Sequence, residues 1–259
     1  MKKILFIILV LFLVTGCSKV DNSINVLNWS SYIPDEVIMD FERNTGIKVN
    51  YSTYSSNEEL LAKIASAKEG TYDLIFPSDY MIEIMSQKGM LEYIDKSKII
   101  NYRNLNEKYL SLEFDRYNNF SIPFLAASTV ISVNRGNIKD TITSYNDLLN
   151  PKYKNEIVLI DDQRIIIGMA LLANGFDMNS TDLNQLKIAE DWLKRLYINV
   201  KAFDSDSPKN FLITKEANIA VLWNAEGALA SIENRSIQNI FPKEGVALSI
   251  DNFAIPKGS

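Results

Sequence analysis

Strand-like and helix-like patterns of hydrophobic and polar residues alternate along the chain from residue 24 onward. Asn25–Trp29 has the pattern of a strand, and Pro34–Thr45 carries apolar residues on one helical face, with Gly46 placed to end the helix. Ile47–Ser52 alternates as a second strand, and Ser56 is placed to cap the helix that follows, with a glutamate three residues later. Repeated βα units of this kind predict a mainly parallel, doubly wound α/β sheet.

The same alternation continues in the second half of the chain. A third strand is predicted over Asp73–Phe76, and strand-like sequence returns at Thr129–Asn134. Helical spacing over Arg164–Asn174 and Asp182–Tyr197 then predicts a second α/β lobe. The predicted limits are 24–133 for the first lobe, 134–246 for the second lobe, and 247–259 for a return crossing toward the first lobe.

The N-terminal segment has the pattern of an export signal. Two lysines precede an apolar run over Ile4–Val14, which at roughly 11 residues is too short to span a bilayer. The run is followed by Thr15-Gly16-Cys17, which resembles the lipobox of bacterial lipoproteins. The alternative is a short buried helix that happens to end in cysteine. We predict a signal peptide over 1–16, lipidation of Cys17, and a polar tether over 17–23.

Charge and composition narrow the chemistry further. The formal net charge is −5, and no basic block occurs after the first three residues, so a nucleic-acid partner is not expected. The chain has no histidine, which excludes Ser-His-Asp and Cys-His catalysis and histidine metal ligands. With Cys17 as the one cysteine, an internal disulfide and a cysteine zinc site are excluded too. We therefore expect no metal and no cofactor.

Aromatic and polar residues follow the predicted strands Asn25–Trp29, Asp73–Phe76 and Ile219–Trp223. In a doubly wound sheet, ligands bind at the carboxyl ends of strands, so these residues are expected to line one cleft. Tryptophan and tyrosine faces attract cations, and carboxylates bind ammonium groups. The pattern therefore favours a cationic ligand. The candidate residues from these strand ends are Trp29, Ser31, Tyr32, Ser78, Asp79, Tyr80, Trp223 and Glu226.

A family resemblance extends over almost the whole mature chain. The segments that carry it, in chain order, are Asn28–Pro34, Thr45–Val49, Tyr51–Glu58, Tyr72–Leu74, Ile94–Lys98, Ile122–Pro123, Tyr145–Leu148, Phe241–Gly245 and Ala254–Pro256. This sequence resembles the spermidine/putrescine-binding proteins of bacterial ABC importers. The resemblance implies a two-lobed fold of the periplasmic-binding-protein type, with a hinge and a ligand cleft between the lobes. It also implies delivery of the polyamine to a permease driven by an ATPase, with no catalysis by this chain. Together with the lipobox, we expect a lipid-anchored monomer outside the cytoplasm.

The resemblance assigns roles to individual residues. Trp29, Tyr32, Ser78 and Tyr80 look like pocket residues, and Trp223 looks like the wall against which the methylene chain stacks. The remaining assignments are Asp251 and Asp162 as ammonium contacts and Glu226 at a position where the putrescine-type branch has an aspartate. Alternatives from the sequence alone remain open: Asp251 as a turn cap, Asp79 as a helix cap, and Asp162 as a loop acid to which Asp161 is equivalent by spacing.

Three residues depart from the family pattern. Ser31 and Ile165 replace acids, and Ser249 replaces an aromatic residue, so each departure removes a contact for a cation. The chain also stops where family members continue, and we expect it to be truncated. Two other binding functions stay open: a receptor for another cationic or zwitterionic solute, and a surface lipoprotein without a transport role. An enzyme on the same fold is disfavoured because no clustered acid pair occurs and no histidine is present.

Overall fold

The computed structural model describes residues 22–30 and 32–259. The predicted signal peptide, the lipidation site Cys17, most of the tether and the candidate residue Ser31 lie outside these ranges. Within residues 22–30 and 32–259, no helix is long and apolar enough to cross a membrane. The description below therefore concerns the part of the chain that follows the predicted tether.

Nine strands and seven α-helices alternate in the described ranges. The strands are β1 Ser23–Trp29, β2 Lys48–Tyr54, β3 Leu74–Ile75, β4 Ile122–Asn134, β5 Ile157–Leu159, β6 Val200–Phe203, β7 Ile219–Trp223, β8 Ile237–Ile240 and β9 Leu248–Phe253. The helices are α1 Asp35–Thr45, α2 Asn57–Ser66, α3 Asp79–Gln87, α4 Gln163–Ala173, α5 Leu183–Tyr197, α6 Lys209–Ile213 and α7 Asn224–Glu233. Short 3₁₀ turns fill much of the connection between α3 and β4.

The first lobe is built on a three-stranded parallel sheet in the order β2-β1-β3. This arrangement confirms the α/β prediction for the first βα units. Leu27, Leu60 and Ile75 are fully buried and join strands and helices in one apolar core. Helix α1 ends as predicted, because Gly46 adopts φ 70° and its N–H donates to Glu42 O at 2.8 Å.

The predicted cap at the start of α2 is present with one difference. Ser56 Oγ accepts a hydrogen bond from the Glu59 backbone N–H at 3.1 Å, as a capping box requires. The Glu59 carboxylate, however, accepts from the backbone N–H of Ser55 at 2.8 Å, one residue before the cap. The helix start is therefore fixed from both sides, with the return bond shifted by one residue.

The second lobe is built on a mixed sheet in the order β6-β5-β7-β4-β8. Strands β5, β6 and β7 are parallel, whereas β4 is antiparallel to β7 and β8. Trp192 and Leu196 of α5 pack with Ile219 in the core of this lobe. The sequence pattern did not predict β6, β8 or α6, which are only four or five residues long. Such short elements carry too few positions for a periodic signal.

Strand β4 is much longer than the predicted strand and takes part in two pairings. Its residues 122–128 pair with β9, and its residues 129–134 pair with β7 and β8. Beyond β9 the chain also lies against the first lobe, since Ile75 and Ala254 exchange two backbone hydrogen bonds of 3.0 Å. One continuous strand therefore links the second-lobe sheet to the segment that packs on the first lobe.

Candidate functional site

A tyrosine, a serine and an aspartate meet at the carboxyl ends of β1 and β3. Tyr32 follows β1, Ser78 follows β3, and Asp251 lies in β9, where it forms an isolated antiparallel bridge with Ser78. The Tyr32 hydroxyl donates a hydrogen bond to Oδ2 of Asp251, and Ser78 Oγ donates to Oδ1 at 2.6 Å. Each carboxylate oxygen therefore has one protein donor and keeps lone-pair capacity for another donor.

A buried asparagine holds Ser78 in this arrangement. Asn57, the first residue of α2, is 1% exposed and donates from Nδ2 to Ser78 Oγ at 3.1 Å. Its Oδ1 accepts from the Ser78 backbone N–H at 3.2 Å. Because Ser78 Oγ accepts from Asn57, its own hydrogen is directed to Asp251. Sequence reasoning missed Asn57, although it lies next to the predicted Ser56 cap.

The surroundings of Asp251 combine low solvent access with negative charge. Burial is the main cause that raises the pKa of Asp251, and the charges of Asp79 and Asp162 raise it further. The hydrogen bonds from Ser78 and Tyr32 lower the pKa and only partly offset these effects. Since a buried carboxylate without a cation is costly, this region favours a positively charged group.

Asp79 ties the start of α3 to strand β9. Its Oδ1 accepts from the Tyr80 N–H at 2.7 Å, and its Oδ2 accepts from the Ile250 N–H at 3.2 Å. The helix cap position belongs to Ser78, so Asp79 is the first helical residue and not the cap. Burial raises the pKa of Asp79, although both N–H donors oppose the shift. Asp79 therefore adds a second half-buried acid beside Asp251.

Asp162 brings an acid from the second lobe. It caps helix α4 by accepting from the Ile165 N–H at 2.9 Å, and burial raises its pKa. Asp161 is exposed, and its backbone N–H donates to Ser205 Oγ at 3.0 Å. The structure thus distinguishes two neighbours that spacing could not, because the charge of Asp162 acts on Asp251.

Four aromatic rings pack together, and one of them, Tyr32, donates a hydrogen bond to Asp251. Phe124 lies 5.7 Å from the Tyr32 ring, 5.6 Å from Phe76 and 4.8 Å from Phe253, measured between ring centroids. Phe124 remains 41% exposed, so part of its face is open to solvent. Sequence reasoning missed these phenylalanines. Phe124 could have been found, since it directly follows the Ile122-Pro123 segment that carries the family resemblance.

Trp29 and Tyr54 support the same strand ends from the core side. Trp29 Nε1 donates to Phe76 O at 2.9 Å, and the Tyr54 hydroxyl donates to the same oxygen at 2.6 Å. The two rings lie 4.6 Å apart. Trp29 is half-buried against the first-lobe core, so a contact with ligand stays a prediction.

The second lobe offers an apolar surface where β7 ends. Trp223 is half-buried and packs on a cluster of Ile160, Ile165 and Ala247. Ile165, the position where the resemblance implies a glutamate, is 6% exposed in this cluster. The departure at this position therefore replaces a polar contact by packing against Trp223.

The structure does not bring Glu226 to the group around Asp251. Burial raises the pKa of Glu226, and the charges that act on it are those of Lys209, Glu233 and Asp204. Its Oε2 is buried and has no hydrogen-bond partner among the described residues. A ligand contact at Glu226 stays a prediction. The other departure in the described ranges, Ser249, pairs with Ala127 between β9 and β4.

No group of three or more acidic, cysteine or histidine residues in the described ranges could hold a metal ion. Two surface cavities lie away from Asp251. One of about 340 Å³ borders Tyr72 and Pro256 in the first lobe, and one of about 530 Å³ borders Asp147 and Tyr153 in the second lobe. Neither contains any candidate residue, so the acidic strand ends remain the candidate site.

Two α/β sheets linked by a shared strand, with acids and aromatic rings at the strand ends, define a ligand-binding protein with two lobes. The chain belongs to the bacterial extracellular solute-binding protein family, whose family model matches residues 36–259. Residues 1–18 match the model of the prokaryotic membrane lipoprotein lipid attachment site. These matches confirm the non-enzymatic class and the lipid-anchored, extracytoplasmic location.

Proteins of similar sequence are described as spermidine/putrescine-binding, which confirms the family resemblance. The spermidine/putrescine-binding periplasmic protein of Salmonella typhimurium is 41% identical over 230 residues, which cover 88% of this chain and 66% of that protein. A solved protein of Listeria monocytogenes matches with a TM-score of 0.88 and 35% identity, over 92% of this chain and 74% of that one. The spermidine/putrescine ABC transporter substrate-binding protein of Streptococcus pneumoniae matches with a TM-score of 0.74 and 33% identity, over 92% and 73%. The chain thus spans about two thirds of the length of the Salmonella relative.

Proposed function

We propose that this chain binds a polyamine, spermidine or putrescine, between its lobes and delivers it to the permease and ATPase subunits of an ABC importer. The observation that carries the proposal is the state of Asp251, a half-buried carboxylate with two protein donors and two further acids nearby. The names of the relatives support the same ligand class. The binding role requires no catalytic group, in keeping with the family.

The contacts around Asp251 suit an alkylammonium group. The ligand ammonium donates to the lone pairs that Tyr32 and Ser78 leave free on Asp251. The methylene chain then packs on the rings of Tyr32, Tyr80 and Trp223, which also attract the positive charge. Ser31, Trp29, Asp79 and Asp162 are further proposed ligand contacts. Glu226 is the weakest member of the proposed set, because the charges that act on it are those of Lys209, Glu233 and Asp204.

Strand β4 is the proposed hinge element. The pairing of β4 changes from β9 to β7 and β8 between Ser128 and Thr129, a few residues before the predicted lobe limit at 133. The return crossing is proposed at 247, just before β9 begins. Bending at these two places would move one lobe against the other, and a ligand that contacts both lobes would favour the closed state.

The lipid attachment site implies where the protein works. A diacylglycerol on Cys17 would hold the protein at the outer face of the cytoplasmic membrane, and residues 17–23 would act as a short tether. We propose a monomer, because one receptor presents one cleft to one transporter. The anchor keeps the receptor near its permease, which raises the effective concentration of the bound polyamine there.

Isothermal titration tests the ligand. The chain from residue 17 to 259, with Cys17→Ser to avoid lipidation, is titrated with spermidine, putrescine and an uncharged diol of similar length. We expect heat from at least one polyamine and none from the diol, because the diol cannot pair with Asp251. The emission of Trp223 provides a second signal for the same event.

Two results would contradict the proposal. Equal binding of the diol would mean that the cleft does not recognise charge. A folded chain that binds no polyamine but binds a zwitterionic or monovalent amine would show that the ligand belongs to another class. Circular dichroism of each sample establishes that the chain is folded, so both results refer to the site.

A further inference from the structure

Arg164 crosses the space between the two lobes. It is the second residue of α4 in the second lobe, and its guanidinium carbon lies 5.0 Å from the ring centroid of Tyr80, in α3 of the first lobe. Its Nη2 donates to Asn179 Oδ1 at 2.8 Å, which orients the guanidinium from its own lobe. Arg164 is exposed, so a solute that enters the cleft can reach it.

The positive charge of Arg164 acts on acids of both lobes. It lowers the pKa of Asp79 in the first lobe and of Asp162 in the second lobe, against the larger effect of burial. The Tyr80 hydroxyl beneath the guanidinium donates to Glu58 Oε1 at 3.2 Å, which places a third carboxylate nearby. The guanidinium thus lies among acids that would otherwise be available to a ligand ammonium.

Asp251 differs from these acids. Its pKa is governed by burial, by the donors Ser78 and Tyr32, and by the like charges of Asp79 and Asp162. The charge of Arg164 therefore acts on Asp79 and Asp162, whereas the hydrogen-bond donors of Asp251 are neutral. A ligand ammonium that contacts Asp79 or Asp162 shares these acids with Arg164, and one at Asp251 does not.

We propose that Arg164 is a specificity-determining residue: its guanidinium occupies the face of the Tyr80 ring between the two lobes and makes the cleft discriminate against a triamine relative to a diamine. This inference rests on the proposed polyamine-binding function. An additional ammonium must either displace the guanidinium from the Tyr80 face or lie close to a like charge. A ligand with fewer ammonium groups avoids this conflict by using Asp251.

Dissociation constants for spermidine and putrescine test the proposal in four proteins. Arg164→Gln removes the charge, Arg164→Lys keeps it, and Arg195→Gln removes the same charge from the exposed last turn of α5. For Arg164→Gln we expect about tenfold tighter spermidine binding and less than about threefold change for putrescine. Arg164→Lys and Arg195→Gln should leave the ratio of the two constants within about threefold of the original.

Other outcomes overturn the proposal. An equal gain for both amines in Arg164→Gln and Arg195→Gln would show a general charge effect. Weaker binding of both amines in Arg164→Gln would show that Arg164 assists the ligand. An unchanged ratio in Arg164→Gln would show that the guanidinium does not compete with the third ammonium.

A measurement without ligand separates this inference from the proposed function. Carbon NMR titration of the Asp79 and Asp162 carboxyls should give higher pKa values in Arg164→Gln than in the original protein, because the neighbouring cation is gone. Unchanged values would refute the position assigned to Arg164. If the original protein binds neither amine, the proposed function fails and this titration still decides whether the charge of Arg164 acts on Asp79 and Asp162.

Discussion

The two sides of the cleft differ in the chemistry that they present. On the first-lobe side, Asp251 is held by Tyr32 and Ser78 in a connected set of hydrogen bonds. On the second-lobe side, Ile165 and Trp223 pack in an apolar cluster. Under the proposed function, the two sides have different tasks: the first-lobe side would bind a charged end of the ligand, and the second-lobe side would cover its apolar chain.

The difference also concerns preorganisation. Asn57 fixes Ser78 before any ligand arrives, so the first-lobe side has its donors and acceptors already oriented. In the second-lobe acid, Asp162, one carboxylate oxygen already accepts a hydrogen bond from the backbone at the start of α4. Binding should therefore begin at Asp251 and finish by closure of the second lobe. Substitutions on the two sides should then differ in their effect on affinity.

The largest effect is expected from Asp251→Asn. Removal of the charge should weaken polyamine binding about 100-fold or more, since truncating one partner of a buried charge pair costs about 2–5 kcal/mol. The thermal stability of the unliganded protein should stay equal or rise, because a desolvated carboxylate is lost. Titration calorimetry and thermal denaturation measure both, with Asp191→Asn on the exposed surface of α5 as the matched control. A loss of affinity below about threefold would contradict the assignment of Asp251.

Trp223→Ala should have the next largest effect and act from the second-lobe side. Loss of the ring removes packing and a cation–π contact together, for which we expect about 10- to 100-fold weaker binding. Trp223→Phe keeps an aromatic face and should lose less than about fivefold. Equal affinities for the two variants would mean that the ring does not cover the ligand chain.

Polyamine affinity should increase with pH, because the acids near the ligand must be ionised to bind an ammonium group. Burial raises the pKa of Asp251, Asp79 and Asp162 above their ordinary value of 3.8. A bound ammonium favours the ionised carboxylates, so affinity rises as pH rises through the raised pKa values of the unliganded protein and levels off above them. We expect weaker binding at about pH 5 than at about pH 7.5, and proton release on binding in calorimetry.

The unliganded protein should respond to pH in the opposite direction. A carboxyl with a raised pKa in the folded state binds more protons than in the unfolded state, so its contribution to the free energy of unfolding decreases as pH rises from 3.8 through the raised pKa values. Chemical denaturation at several pH values measures this contribution in the original protein and in Asp251→Asn. An affinity that falls as pH rises through this window would refute the role of the acids.

The smallest effect is expected from Glu226→Gln. The charges around Glu226 are those of Lys209, Asp204 and Glu233, and the hydrogen-bonded group at Asp251 is separate. We expect less than about threefold change in polyamine affinity. A tenfold loss of polyamine affinity would instead place Glu226 at the far end of the ligand. The second-lobe side would then also provide a charged contact.

Local signals predicted much of the fold from the sequence. Gly46 and Ser56 end and begin helices as their residue types require, and the strand ends place Tyr32 and Ser78 together. These features depend on neighbours within a few residues. The short strands β6 and β8 depend on pairing with distant partners, so their own sequences carry little signal.

The candidate site was only partly predictable for the same reason. Asp251 was reached through the family resemblance, because its contact with Ser78 joins residues 173 positions apart. Asn57 and Arg164 were missed since their roles arise from side chains of other elements, namely Ser78 and Tyr80. Hydrophobic periodicity contains no information about such contacts.

The position of Asp251 in β9 determines when, during protein synthesis, its hydrogen bonds to the first lobe can form. The acid in β9 meets Tyr32 across 219 residues of sequence, with the whole second lobe synthesised between them. At the usual pace of about 5–20 residues per second, the early part of the cleft waits on the order of ten seconds or more for its carboxylate during translation. The carboxylate of Asp251 therefore meets Tyr32 and Ser78 only after the second lobe has been synthesised.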